Sequence, residues 1–147
     1  MLVPAVHTET VFPPQPALLA RPLRTVRLRT ALLIGSVAMV VAAGWYGQPD
    51  LLLQADPQLA LMLRGMALIK AIMVLVALAL LAWRFMHPIG RLQAAVYIGG
   101  AWLAAGGCML IWQLTHIPAA AVAFHVGEFA FLLMAWRDWQ DAPQRVK

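Results

Sequence analysis

Charge is scarce in this chain. Only 12% of its 147 residues are charged, and six are acidic. A soluble domain usually carries about 25% charged residues. Cysteine occurs once, at Cys108, so no intrachain disulfide can form. That thiol lies in an apolar stretch, where a free cysteine behaves as a small buried hydrophobe. Glycine-rich phosphate loops, Walker motifs, CxxC and HxxxH spacings, paired-carboxylate motifs and nucleophile constellations are missing. The sequence therefore predicts no enzyme activity, no resident cofactor and no metal site. A haem-, copper- or quinone-binding redox subunit is the weakest of the alternatives. Such a site needs a countable ligand set, and only His125 lies well inside an apolar stretch. No repeat, coiled-coil heptad or C-terminal lipidation signal is visible either.

What the chain has in quantity is apolar surface. Hydrophobic residues make up 63% of it, and the mean hydropathy is +0.77. Four long stretches carry most of this, at about 30–47, 59–85, 92–115 and 117–136. A membrane helix needs about 20 mostly apolar residues. Runs this long exceed a strand, and in lipid every backbone group must find a partner within the protein. The fold class that follows is an all-α membrane protein with four transmembrane helices. Short turns, "MHPIG" and "THIP", force neighbouring helices to run antiparallel, which gives an up-down-up-down bundle.

The net charge is +5 and the pI about 10.4. The basic residues flank apolar segments, so lipid headgroups fit better than nucleic acid as their partner. Arg21, Arg24, Arg27 and Arg29 precede the first span; Arg84 and Arg91 flank the turn between the second and third. Arg137, Arg145 and Lys147 follow the fourth. The opposite loops, "QPDLLLQADPQ" and "THIP", contain no Lys or Arg. The positive-inside rule then places both termini in the cytoplasm of a bacterial-type inner membrane. Trp45 and Trp112 at the outer ends, and Trp83, Trp136 and Trp139 at the inner ends, sit where aromatic belts form. Trp102 alone falls deep within a span.

Three regions follow from these patterns. Residues 1–29 form a cytoplasmic Pro-rich and basic segment, residues 30–137 the bundle and residues 138–147 a cytoplasmic tail. The stretch "VPAVHTETVFPPQP" has too few apolar residues to bury a face. Within "RPLRTVRLRT" the spacing of Leu19, Leu23 and Val26 allows a short interfacial helix on anionic inner-leaflet lipids. A plain positive flank explains the same residues. "VVAAG" resembles a signal-peptide cleavage site, but the positive stretch ahead of it is long, so the first span reads as uncleaved.

Small residues recur on two spans: Ala31, Gly35, Ala38 and Ala42 on the first, and Gly100, Ala104, Gly107 and Cys108 on the third. Such seams let membrane helices approach closely, either within one chain or between two copies. They leave room for a homo-oligomer or a larger membrane complex.

The ionisable residues inside the spans are the unusual feature. At about 1.5 Å rise per residue, Lys70 and Glu128 both lie about 16 Å from the outer face, with His125 at about 12 Å. A charge at a helix centre costs at least about 2.5–3.5 kcal/mol in lipid, so these groups are expected to face inward. The sequence thus predicts a buried Lys70–Glu128–His125 cluster, with Lys70 and Glu128 as direct partners. Two uses fit: neutral pairing that fixes helix register, or a proton or ion site with His125 as relay. Arg64, nearer the outer edge, is expected to snorkel toward Asp50 or Asp56. His87 and His116 fall in turns.

The resulting expectation is a small, non-enzymatic inner-membrane protein, an accessory or scaffold subunit of a larger assembly. The alternative is a small proton-linked carrier or channel acting as an oligomer.

Overall fold

A computed structural model describes residues 17–48 and 56–141. Among the described residues the chain forms four helices and no strand: α1 (Ala17–Tyr46), α2 (Pro57–Arg84), α3 (Arg91–Trp112) and α4 (Ile117–Asp141). Each contains a segment long and apolar enough to cross a membrane. The protein is an all-α, up-down-up-down four-helix bundle, a multi-pass membrane protein in its composition. The segment 1–16, Asp50 and the tail beyond Asp141 lie outside the described residues.

Local chemistry fixes the helix ends. Asp56 is the N-cap of α2; its Oδ1 accepts from the amides of Gln58 and Leu59 at 3.0 and 3.1 Å. Pro57 follows at the first helical position, where a missing N–H costs nothing. At the other end of α2, Arg29 Nε donates to the Ala82 carbonyl at 2.8 Å. That carbonyl belongs to the last turn, which has no intrahelical donor left for it and carries the negative end of the helix dipole. Arg24 Nη2 donates to the Ile89 carbonyl, in the connection between α2 and α3, at 2.9 Å. The Gln93 side chain accepts from the Gly90 amide at 3.1 Å and so closes the start of α3.

The α3–α4 turn has no glycine at its bend. Leu114 and His116 both adopt positive φ, 58° and 43°. Leu114 N–H donates to Ile111 O at 3.0 Å and Thr115 N–H to Leu110 O at 2.9 Å. This is the double hydrogen bond of a Schellman ending, with leucine where glycine usually sits. Leu114 is fully buried, and its apolar burial offsets a backbone cost of about 1–2 kcal/mol.

The helices do not form a square. The centre of the bundle is α3, against which α1, α2 and α4 all pack. Among the described residues α2 and α4 share no backbone contact, nor do α1 and α4. The expectation that Lys70 of the second span and Glu128 of the fourth would be direct partners inside the bundle is therefore corrected: α3 packs between their helices. Its small residues are the reason. A Cβ on Gly107 would come within 2.8 Å of Ala120 O and 2.9 Å of Phe124 N; one on Gly100 would lie 2.9 Å from Gly127 O. The backbones of α3 and α4 touch through Gly100, Ala104, Gly107 and Gly127.

The small-residue seam expected on α1 is only partly used. Gly35 lies beneath the Trp102 ring, and Ala42 is half-buried, but Ala31 and Ala38 are exposed. Nor is the basic stretch ahead of the span a separate helix, because α1 runs unbroken from Ala17 to Tyr46.

A polar cluster locks the end where the arginines gather. Asp138 of α4 takes a two-point contact from Arg84 of α2, Nε to Oδ2 at 3.0 Å and Nη2 to Oδ1 at 3.1 Å. Tyr97 and Gln93 of α3 donate to the same carboxylate at 2.9 and 3.3 Å. Beneath them Tyr97, Phe85, Leu81, Leu32, Ile98 and Met134 make the largest core cluster. One carboxylate thus joins three helices where the core is thickest.

Candidate functional site

Helix α4 carries Phe124, His125 and Glu128 within little more than one turn, near the middle of its length. Phe124 points into the bundle and is 2% exposed. His125 points away from it, with 51% of its side chain exposed, and Glu128 lies between, at 29%. The His125 Nδ1 is 3.4 Å from Glu128 Oε2, a contact between neighbours three residues apart on one helix. The imidazole is held between two rings, at 5.4 Å from Phe124 and 6.5 Å from Phe129 between centroids.

Lys70 approaches the same region from α2, but not as expected. Its Nζ lies 3.9 Å from the centroid of the Phe124 ring. Among the described residues it forms no ion pair with Glu128. The buried Lys70–Glu128–His125 cluster is accordingly absent, and two physical reasons account for this. The backbones of α2 and α4 stand apart on either side of α3. In addition, side chains on a helix lean toward its N-terminus, so the long Lys70 side chain is carried toward the start of α2, to the level of Phe124. A cation over an aromatic face gains about 0.5–2 kcal/mol, rising as water is excluded. The Glu128 carboxylate leans the same way and meets His125 of its own helix.

Arg64 is exposed and without an ion pair among the described residues. Asp56 is occupied as the α2 cap, and Asp50 lies outside the described residues. Cys108 is buried, and its Sγ lies 3.1 Å from Ala67 O. His87 is exposed beside Trp83, and the exposed His116 contributes its backbone oxygen to the first turn of α4. Among the described residues no three His, Cys, Asp or Glu side chains gather as a metal site would require.

Between α2 and α4, floored by α3, runs an apolar groove of about 340 Å³. Glu128 and Phe124 are on its α4 wall; Ile72, Met73, Val76 and Leu80 are on its α2 wall. A second groove of about 400 Å³ separates α1 from α2 and is lined by Ser36, Ala71, Leu75 and Cys108 among others.

Comparison of the chain with protein-family models, with curated proteins and with solved structures finds no match. Its chemistry must be read from its own geometry.

Three contributors to this region are not apparent from residue type and depth. Phe124, rather than an acid, receives Lys70. Gly127 is the glycine through which α4 meets α3; its spacing of seven from Ala120 was the available signal. Asp138 stands beside Arg137 in sequence yet pairs with Arg84, a choice that only the helix packing determines.

Proposed function

We propose that this protein is a non-enzymatic accessory or scaffold subunit of a larger assembly in a bacterial-type inner membrane, with both termini cytoplasmic. One observation carries the reading. The His125 imidazole is half exposed on the outward side of α4, beside Glu128 and in the middle of a helix long and apolar enough to cross a membrane. Ionisable groups at that depth face protein or water rather than lipid, because lipid offers them no hydrogen bond. A partner chain covering this face of α4 supplies the missing surroundings. Exposed Val122, Val126 and Phe129 lie on α4 beside the pair and would pack against the same partner.

The topology in this proposal rests on the positive-inside rule and on the antiparallel helix order, which brings Arg24, Arg84, Arg91 and Arg137 to one end of the bundle. Anionic headgroups are the natural counterions for that end. A proton-linked carrier has less in its favour. Beyond Glu128 the groove is lined by Ile72, Val76, Leu80, Phe131 and Leu132, which offer a proton no acceptor.

The test is the size of the particle released by mild detergent. The protein component should exceed one chain of 16.1 kDa. It should shrink toward a single chain when His125 and Glu128 are both replaced by leucine. A wild-type particle holding one chain and detergent only would reject the proposal. Reporter fusions at Asp56 and at the C-terminus test the orientation separately.

A further inference from the structure

Helix α4 stands at the edge of the bundle. Among the described residues its backbone lies against α3 alone, so the side turned away from α3 has no helix of its own chain against it. Val122, Val126, Phe129, Leu133 and Trp136 lie on that side, each more than half exposed, at spacings of four, three, four and three. That alternation suits two parallel helices wound around each other, because its mean period of about 3.5 residues keeps one seam facing the partner. The apolar seam alone does not choose its occupant, since lipid tails accept such a face too. The polar pair beside it does. His125 Nδ1 faces Glu128 Oε2 at 3.4 Å. His125 Nε2 and Glu128 Oε1 are left over, with no hydrogen-bond partner among the described residues. One base and one acid thus stand about 4.5 Å apart along the same helix, at a rise of about 1.5 Å per residue.

We propose that the chain covering this face is a second copy of the same protein, packed α4 against α4. The proposal rests on the reading that a protein covers α4, and names that protein. Two copies inserted in the same direction are related by a two-fold axis along the membrane normal, so every residue lies at the depth of its counterpart. Any other partner would need its own acid and base at this depth; a second copy brings both by symmetry. In such an interface, if residue i meets residue j, then j meets i. His125 of each copy then meets Glu128 of the other, and Nε2 donates to the carboxylate across the axis. Base and acid alternate around a ring of four side chains. Lipid tails have no atoms that could take either place.

A cysteine scan and a mixing experiment test it. Full-length protein carrying Cys108→Ser, which removes the native thiol, is purified and reconstituted alone in phosphatidylcholine vesicles. Val122→Cys, Val126→Cys or Phe129→Cys, added singly, should link two copies, because residues beside a two-fold axis come within the Cα separation of about 7 Å that a disulfide allows. Leu61→Cys and Leu75→Cys, on α2, should stay unlinked. His125→Leu and Glu128→Leu each remove both cross-chain pairs from a symmetric dimer. Each should weaken association about tenfold, since one hydrogen bond between membrane helices contributes about threefold. When the two variants are mixed, one copy brings Glu128 and the other His125, and one pair returns. Energy transfer between dye-labelled copies should then show the mixed dimer about threefold tighter than either variant's own. A contact made only within one helix gives no such recovery, and its absence would overturn the proposal. So would links at Leu75→Cys but not at the α4 positions. Absence of α4 links in vesicles, with crosslinks from α4 to a different polypeptide in native membranes, would overturn the second copy and keep the protein-covered face. Lipid adducts alone in both settings would overturn both readings.

Discussion

The Lys70 ammonium lies 3.9 Å from the centre of the Phe124 ring. It lies near the middle of α2, and an aromatic face rather than an acid receives it. Lys70→Met and Phe124→Leu should therefore be coupled in a double-mutant cycle, by about 0.5–2 kcal/mol. Lys70→Met and Glu128→Gln should add within about 0.5 kcal/mol, as sites without a shared contact do. Unfolding in mixed micelles reads both cycles. A large Lys70–Glu128 coupling would show that the two groups meet after all.

The Asp138 cluster predicts a different pattern. Asp138→Ala leaves Arg84, Tyr97 and Gln93 without their common acceptor. Removing one partner of such a pair costs about 3–5 kcal/mol when it is fully buried; the 21% and 12% exposure of Arg84 and Asp138 places the expected loss toward the lower end. Replacing Arg84 and Asp138 together by methionine and leucine should restore part of it. The same unfolding assay measures all three variants, and equal stability of Asp138→Ala and wild type would remove the cluster from the account.

Four of the glycines form two contrasting pairs. A Cβ on Gly107 or Gly127 would collide with the backbone of the facing helix, which cannot give way as a side chain can. Gly107→Ala and Gly127→Ala should each destabilise the bundle by about 1–3 kcal/mol, the usual cost of overpacking. Gly65 and Gly99 have nothing within 4 Å of the added carbon. Gly65→Ala and Gly99→Ala should be neutral or slightly stabilising, because alanine is the better helix former by up to about 1 kcal/mol. Thermal melting in detergent separates the two sets.

Helix number, helix type and antiparallel order were legible because they depend on properties that sum along the chain. Span length and turn length each report on many residues at once. The spacing of Gly100, Ala104 and Gly107 likewise marked a close-packed face, but not which helix would meet it. That choice brought α4 onto α3 and took up the space in which Lys70 and Glu128 were expected to join. Equal depth along two helices constrains one coordinate of a side chain. Its direction and the distance between the helices are set by packing, which depends on small residues elsewhere. Asp138 illustrates the same limit: its position near the end of the fourth helix was plain, and its three donors from α2 and α3 were not.

The most direct measurement is site-specific photocrosslinking along α4 in native membranes. Benzoylphenylalanine at Val122, Val126 or Phe129, all exposed beside His125 and Glu128, should join the chain to another polypeptide. The adduct should disappear when His125 and Glu128 are replaced by leucine. The same probe at Leu61 or Leu75, exposed on α2, should give lipid adducts or a much weaker protein band. Only lipid adducts at all three α4 positions would contradict the account, since the imidazole and carboxylate would then face hydrocarbon with nothing to cover them.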